Sequence, residues 1–426
     1  MANKLPNRRR LGIRFVVGFV LMSAFAGLVG AVIQLPNEYD FKRIEFPAAP
    51  DSGEPFLTED AAGSVYASWV EKRDDGNQSL QFSKLNADAS AWSEPVLIAD
   101  GSNWFVNWAD VPSIAVGPDG RMAAHWLEGL GTGRYAYGVR ITFSDDHGQT
   151  WSSPEWLHED ESSSEHGFVS LSYASDGSLD SIWLDGRNMA LGSDNMMIMS
   201  RRINSDGTFE DEQIIDDQTC ECCPTSIARL ADGSIISAFR DRSDDEIRNI
   251  HVRKGDENGW QTSAWSSSDG WKIAACPVNG PVVQSEGAHV AVAWFTAPED
   301  VPAVHVSFSE DQGASFENTV SVHENRPIGR VGMSMLDEKK IVVTWIESGV
   351  APADSARSTA AAEAGIKMRI VHTDGTLEST NVVAPTASSR ASGYPRVATQ
   401  DETLVFLWTQ VGERNQVVSS IGKPTR

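Results

Sequence analysis

The sequence is poor in cysteine, in basic charge and in helical pattern, and each shortage closes off a reading. Four cysteines occur in 426 residues, and no lipobox-type cysteine follows the early apolar run, which argues against a lipid-modified anchor. Lys and Arg number 35 against 59 Asp and Glu. Five of the basic residues and no acidic ones precede Asn37, so the remainder carries 30 basic against 59 acidic groups, a net of −29. Such a body repels nucleic acid and anionic membrane, and no nucleic-acid partner is expected. Its acidity is read as a source of solubility. No stretch of the body carries convincing helical periodicity, which leaves an all-β fold.

One long apolar run is present. Lys4, Arg8, Arg9, Arg10 and Arg14 precede Phe15 to Ile33, and the first acidic residues, Glu38 and Asp40, come afterwards. A positive flank followed by an apolar run is an export signal, with Ala24-Phe-Ala26 as a cleavage site. Arg8-Arg9-Arg10-Leu11 partly resembles a twin-arginine signal. The run is also about as long as a bilayer-spanning helix requires. Residues 1–36 are therefore read as a signal peptide or N-terminal membrane anchor, and 37–426 as one domain. The expected location is periplasmic or extracellular, with membrane contact only through the first segment. A monomer is expected.

The body repeats. Short alternating strands end in an aromatic residue at Trp69, Trp126, Trp183, Phe239, Trp294, Trp345 and Trp408. A period of about 55 residues with four short strands per repeat is the signature of a β-propeller of four-stranded antiparallel blades. Seven repeats predict seven blades, with the aromatics as core between neighbouring sheets. The last repeat lacks a fourth strand after Val417 to Ile421, and Phe41 to Phe46 can supply it, closing the ring and removing exposed edges. The Ala/Ser-rich stretch Gly349 to Gly365 reads as a mobile loop insertion in the sixth repeat.

Ser144-Asp-Asp-His-Gly-Gln-Thr-Trp151 and Ser309-Glu-Asp-Gln-Gly-Ala-Ser-Phe316 occupy the same place in their repeats. In each, Asp146 or Asp311 bonds local backbone, Gly148 or Gly313 takes positive φ, and Trp151 or Phe316 plugs the blade edge. This pattern resembles the Asp-box of bacterial sialidases and related secreted propellers. Residues 41–421 as a whole look like the bacterial exo-α-sialidase-like proteins. That resemblance implies a glycoside-processing or acidic-sugar-binding propeller, and six blades, as in sialidases, as the alternative count. The sialidase Phe-Arg-Ile-Pro signature is absent, since Arg43-Ile44 is followed by Glu45.

In an up-and-down blade the turns after the first and third strands share one face, which holds both Asp-boxes. The other face collects the unusual residues, and propellers bind ligands at a channel mouth. Arg187, Arg240, Arg242, Arg330 and Arg396 reach that face, and guanidinium groups grip carboxylates bidentately. An acidic glycan or another carboxylated small molecule is the expected ligand. Trp104 and Trp108 are either a sugar-stacking platform or a plug over the channel, and His166 stands beside them. The sialidase resemblance implies a tyrosine nucleophile assisted by glutamate, with an aspartate as acid/base. It points to Tyr394, to Glu165, and to Asp110 or Asp241.

All four cysteines fall in the loops entering the fourth and fifth repeats. Cys220, Cys222, Cys223 and Cys276 form two disulfides in an oxidising compartment, or a thiolate site for copper or zinc with His166 as a further ligand. The tight Cys-x-Cys-Cys spacing strains the disulfide reading. No other cofactor is indicated.

Overall fold

The computed structural model describes residues 38–131, 133–261, 265–349 and 364–425. The segment before Asn37 and most of the Gly349–Gly365 insertion lie outside the described residues. Seven antiparallel sheets follow one another in chain order, each with a path of four strands. Residues 52–101 form the first blade, and the remaining blades span 113–156, 166–219, 226–266, 282–321, 327–386 and 396–424. The fourth carries an extra short strand, Trp265–Ser266, on its third strand. The count is seven, as the repeats require, and not six.

The seventh blade takes its outer strand from the other end of the chain. Tyr39–Ile44 pairs antiparallel with Gln416–Pro424, with Tyr39 opposite Pro424 and Ile44 opposite Ser419. Phe41 meets Phe406 edge-on at 5.7 Å, which ties the added strand to the blade's core.

Each repeat aromatic is buried against the blade before it. Trp345 packs with Ala291 and Phe295, Trp294 with Ile236 and Val252, Trp183 with Ala123 and Val139, and Trp408 with Ile366 and Met368. Phe239 joins Ile182 and Ile198, Trp126 joins Tyr66 and Leu80, and Trp69 closes the circle on Leu407. A sheet with one large ring facing its neighbour buries both faces without helices. The ring spacing along the chain is thus the blade spacing in space.

Both Asp-boxes have the expected form. Asp146 accepts from Thr150 N at 2.8 Å and Thr150 Oγ1 at 2.7 Å, while Ser144 Oγ accepts from Gly148 N at 2.9 Å. Asp311 repeats this with Ser315 at 2.9 and 2.7 Å. Gly148 and Gly313 sit at φ 80° and 81°. A Cβ there would come within 2.4 Å of Phe82 or 2.3 Å of Ile236. Trp151 lies edge-on to Phe82, and Phe316 lies against Trp265.

Candidate functional site at the channel mouth

The first strand of every blade walls a central channel of about 570 Å3. Phe56, Ser113, Ser170, Ser226, Val282 and Arg396 lie at matching positions of that wall, each paired with the residue before its blade's aromatic. In three blades the strand is bulged at its mouth end, between Gly53 and Phe56, Gly167 and Ser170, and Gly329 and Gly332. Glu54, Phe168 and Arg330 occupy these bulges at φ 52°, 52° and 57°. A bulge re-aims the side chain it carries, here at the rim of the channel.

The arginines expected to form a clamp divide into three kinds. Arg187 is held by Asp185, at 2.8 and 2.7 Å, and by Glu212 at 2.7 Å. Arg242 is held by Glu221 and by Glu246, the latter at 2.7 Å. These two are neutralised in place. Arg240 and Arg330 are held by carbonyls instead. Arg240 is sealed from solvent and donates to Asn279 O at 3.0 and 2.8 Å, Arg248 O at 2.7 Å and Phe295 O at 2.6 Å. Arg330 donates to Ser389 O at 2.8 Å and Ser392 Oγ at 2.7 Å. Their burial corrects the expectation that both reach a ligand: each ties one loop of the mouth to another.

Arg396 is the third kind. Its Nε donates to Pro55 O at 3.1 Å, and its guanidinium lies 5.1 Å from the Phe56 ring and 5.5 Å from the Tyr394 ring. Its Nη atoms have no protein acceptor among the described residues, and burial pulls its pKa down to about 10. Enclosure in the channel, with partial solvent contact, gives this combination.

The carboxylates come together on a different tyrosine from the one expected. Tyr394 is buried and donates to Val278 O at 2.8 Å; burial raises its pKa. Asp110 and Glu165 flank Tyr137 instead, with its hydroxyl 3.1 Å from Asp110 Oδ2 and 2.5 Å from Glu165 Oε1. Asp110 also accepts from Phe168 N at 2.6 Å. Burial pushes Asp110 up to about 8 and Glu165 up to about 7. Asp241 stands apart from them, 3.5 Å from His251 and near Asp216, and burial raises it to about 7.

The aromatic and histidine candidates each stack on another ring. Trp104 stacks on Trp126 at 5.3 Å, inside the packing between the first two blades. Trp108 is half-buried, stacked on Tyr394 at 6.0 Å with the Arg330 guanidinium 4.8 Å from its ring. His166 is fully buried, stacked on His158 at 3.9 Å and bonded to Asp160 at 3.0 Å, so no substrate reaches it.

The cysteines converge as their loops predict. Cys220 Sγ lies 3.3 Å from Cys223 Sγ and 4.0 Å from Cys222 Sγ, and the exposed Cys276 neighbours Cys222. Two residues outside the expected set complete this corner: Arg248, with Nη1 3.1 Å from Cys220 Sγ, and Glu221, which accepts from Arg248 at 2.8 Å. Adjacency to Cys220 and Cys222 was the sequence signal for Glu221.

The BNR repeat-like domain profile matches residues 63–407. The chain belongs to that family. Solved structures similar to this BNR propeller include the BP39L lectin from Burkholderia pseudomallei, at 10% identity and TM-score 0.58, covering 87% of this chain and 96% of that one. The NanB sialidase from Streptococcus pneumoniae is 9% identical with TM-score 0.45 and coverage of 92% and 95%. An α-L-arabinanase from Penicillium chrysogenum is 12% identical with TM-score 0.46 and coverage of 90% and 98%. At these identities the likeness is one of fold. No curated protein sequence matches the chain.

Proposed function

We propose that this BNR propeller is an exported glycan-binding protein that takes a carboxylated sugar at the channel mouth, with Arg396 as the carboxylate grip. The observation that carries the reading is the state of Arg396: enclosed, close to the rings of Phe56 and Tyr394, and with no acidic partner among the described residues. A guanidinium with free donors in a channel attracts a planar anion and bonds it at two points. Arg330 and Arg390, near the face of Trp108, add positive charge that no carboxylate among the described residues pairs with. In a chain of net charge −24, such a local excess focuses anions toward one spot.

Binding without turnover is the reading. The Tyr394 hydroxyl is committed to a carbonyl, and Asp110 is closed in by Phe168 N and Tyr137. The test is calorimetric titration of the full chain with N-acetylneuraminic acid and with glucuronic acid, beside neutral glucose. Arg396→Met should weaken acidic-sugar binding about tenfold or more, the usual scale of a charged hydrogen bond. A fluorogenic sialoside should be turned over only at background rate. Equal binding of neutral and acidic sugars, or no effect of Arg396→Met, overturns the proposal.

A further inference from the structure

We propose that Cys220, Cys222, Cys223 and Cys276 form a thiolate site for one thiophilic d10 ion, zinc(II) or copper(I), at the rim of the mouth. Three sulfurs, those of Cys220, Cys222 and Cys223, lie within 4.8 Å of one another. A tetrahedral zinc with bonds of about 2.3 Å sets its sulfurs roughly 3.8 Å apart. The separations of 3.3 and 4.0 Å at Cys220 straddle that value, so small side-chain movements suffice to place an ion between them.

The connectivity among the sulfurs favours a shared ligand over pairwise bonding. Cys220 meets both Cys222 and Cys223, and Cys276 neighbours Cys222. A disulfide can satisfy one of those contacts, whereas an ion satisfies all of them. Cys220 and Cys223 are buried, Cys222 is half-buried and Cys276 is exposed, so the sulfurs run from the interior to the surface.

The frame around the sulfurs is rigid and positively charged where thiolates need it. Arg248 Nη1 lies 3.1 Å from Cys220 Sγ, and Glu221 and Glu246 hold that guanidinium at 2.8 and 2.9 Å. Such outer partners orient ligands and offset excess thiolate charge. The buried Arg240 joins the two loops that carry the cysteines: its carbonyl accepts from Cys220 N at 3.0 Å, and its side chain grips Asn279 O. A Cβ on Gly280 would fall 1.9 Å from Pro224 O, which shows how closely those loops run. Soft thiolates select zinc and copper(I) over magnesium, calcium or manganese.

The experiment is titration of the reduced full chain with zinc(II) and, separately and anaerobically, with copper(I). Elemental analysis and thiol counting follow each titration. One ion per chain is expected, with the thiols protected from alkylation while it is bound. Competition against chromophoric zinc and copper(I) chelators tells which ion is held more tightly. Cys222→Ser should lose stoichiometric binding, and Cys276→Ser should keep the ion with affinity lowered about 10- to 100-fold. Arg248→Met should weaken affinity on the order of tenfold. Should Cys222→Ser fail to fold, the thiol protection of the wild-type chain decides. A folded, reduced chain that binds neither ion overturns the proposal. So does one whose thiols react equally fast with and without the ion.

Discussion

The Tyr137 hydroxyl lies 2.5 Å from Glu165 Oε1 while the same oxygen is 3.1 Å from Asp110 Oδ2. A phenol has one proton, so it cannot donate to both carboxylates; one of the acids keeps its own proton and donates to the phenol oxygen. Asp110, the more deeply buried, is that acid at neutral pH. A folded-state pKa raised by burial to about 8 at Asp110 and about 7 at Glu165 fixes the sign of the pH dependence. The stabilisation is complete below about pH 4, where both states are protonated, and is lost as pH rises through 7 to 8. Urea midpoints should therefore fall between pH 5 and pH 9. Asp110→Asn, which donates without titrating, should flatten that fall by on the order of 2 kcal/mol. Identical pH slopes in wild type and variant would refute the assignment.

Two of the repeat tryptophans should respond differently to loss of the indole N–H. Trp345 Nε1 donates to the buried Glu347 at 3.0 Å, whereas Trp408 Nε1 is buried with no acceptor among the described residues. Trp345→Phe leaves a buried carboxylate short of a donor and should cost about 1–3 kcal/mol more than Trp408→Phe. Alanine at either site should cost about 3–5 kcal/mol, the usual price of a large core cavity. Denaturant melts of the four variants check the ordering.

The Asp-box carboxylates should supply acid sensitivity. Hydrogen bonds from the Thr150 N–H and hydroxyl pull Asp146 down to about 2, and those from Ser315 do the same for Asp311. Their stabilisation is present above pH 4 and is lost as pH falls toward 2. The double variant Asp146→Ala, Asp311→Ala should melt a few degrees lower at pH 7 and approach the wild type near pH 2. A constant difference across that range would show that the turns, not their charges, matter.

How much of this was legible in the sequence follows from the range of each interaction. The aromatic period and the Asp-boxes are local, and they foretold blade count, blade packing and turn geometry. The closing strand was legible because the last repeat was one strand short. The loops placed the four cysteines together, since neighbouring blades share a rim. A sequence does not show whether an arginine such as Arg240 meets a ligand or three carbonyls. Asp110 and Glu165 were singled out, but their partner Tyr137 lies on a third strand and meets them only when the second and third blades pack. Each bulge residue, Glu54, Phe168 or Arg330, follows a glycine, Gly53, Gly167 or Gly329, yet takes positive φ without being glycine itself, which the repeat pattern does not show.

The closing strand should govern solution behaviour as well as fold. Removal of residues 38–44 uncovers the ladder edge of Gln416–Pro424, and a bare edge recruits other chains. Size-exclusion chromatography of the truncated body should show oligomers or aggregate where the body from Asn37 runs as one species. A monodisperse truncated body would show that the seventh blade stands with three strands.

The same seam sets how the ring answers to force. Thr425 N donates to Glu38 O at 2.8 Å, and Tyr39 faces Pro424, so the two ends of the described chain leave the disc side by side. Tension applied at those ends peels two antiparallel strands apart one rung at a time; it does not load all the rungs together as sliding would. A ring held by seven buried aromatics is therefore fastened by a zipper, and a pull on its ends opens the seventh blade first.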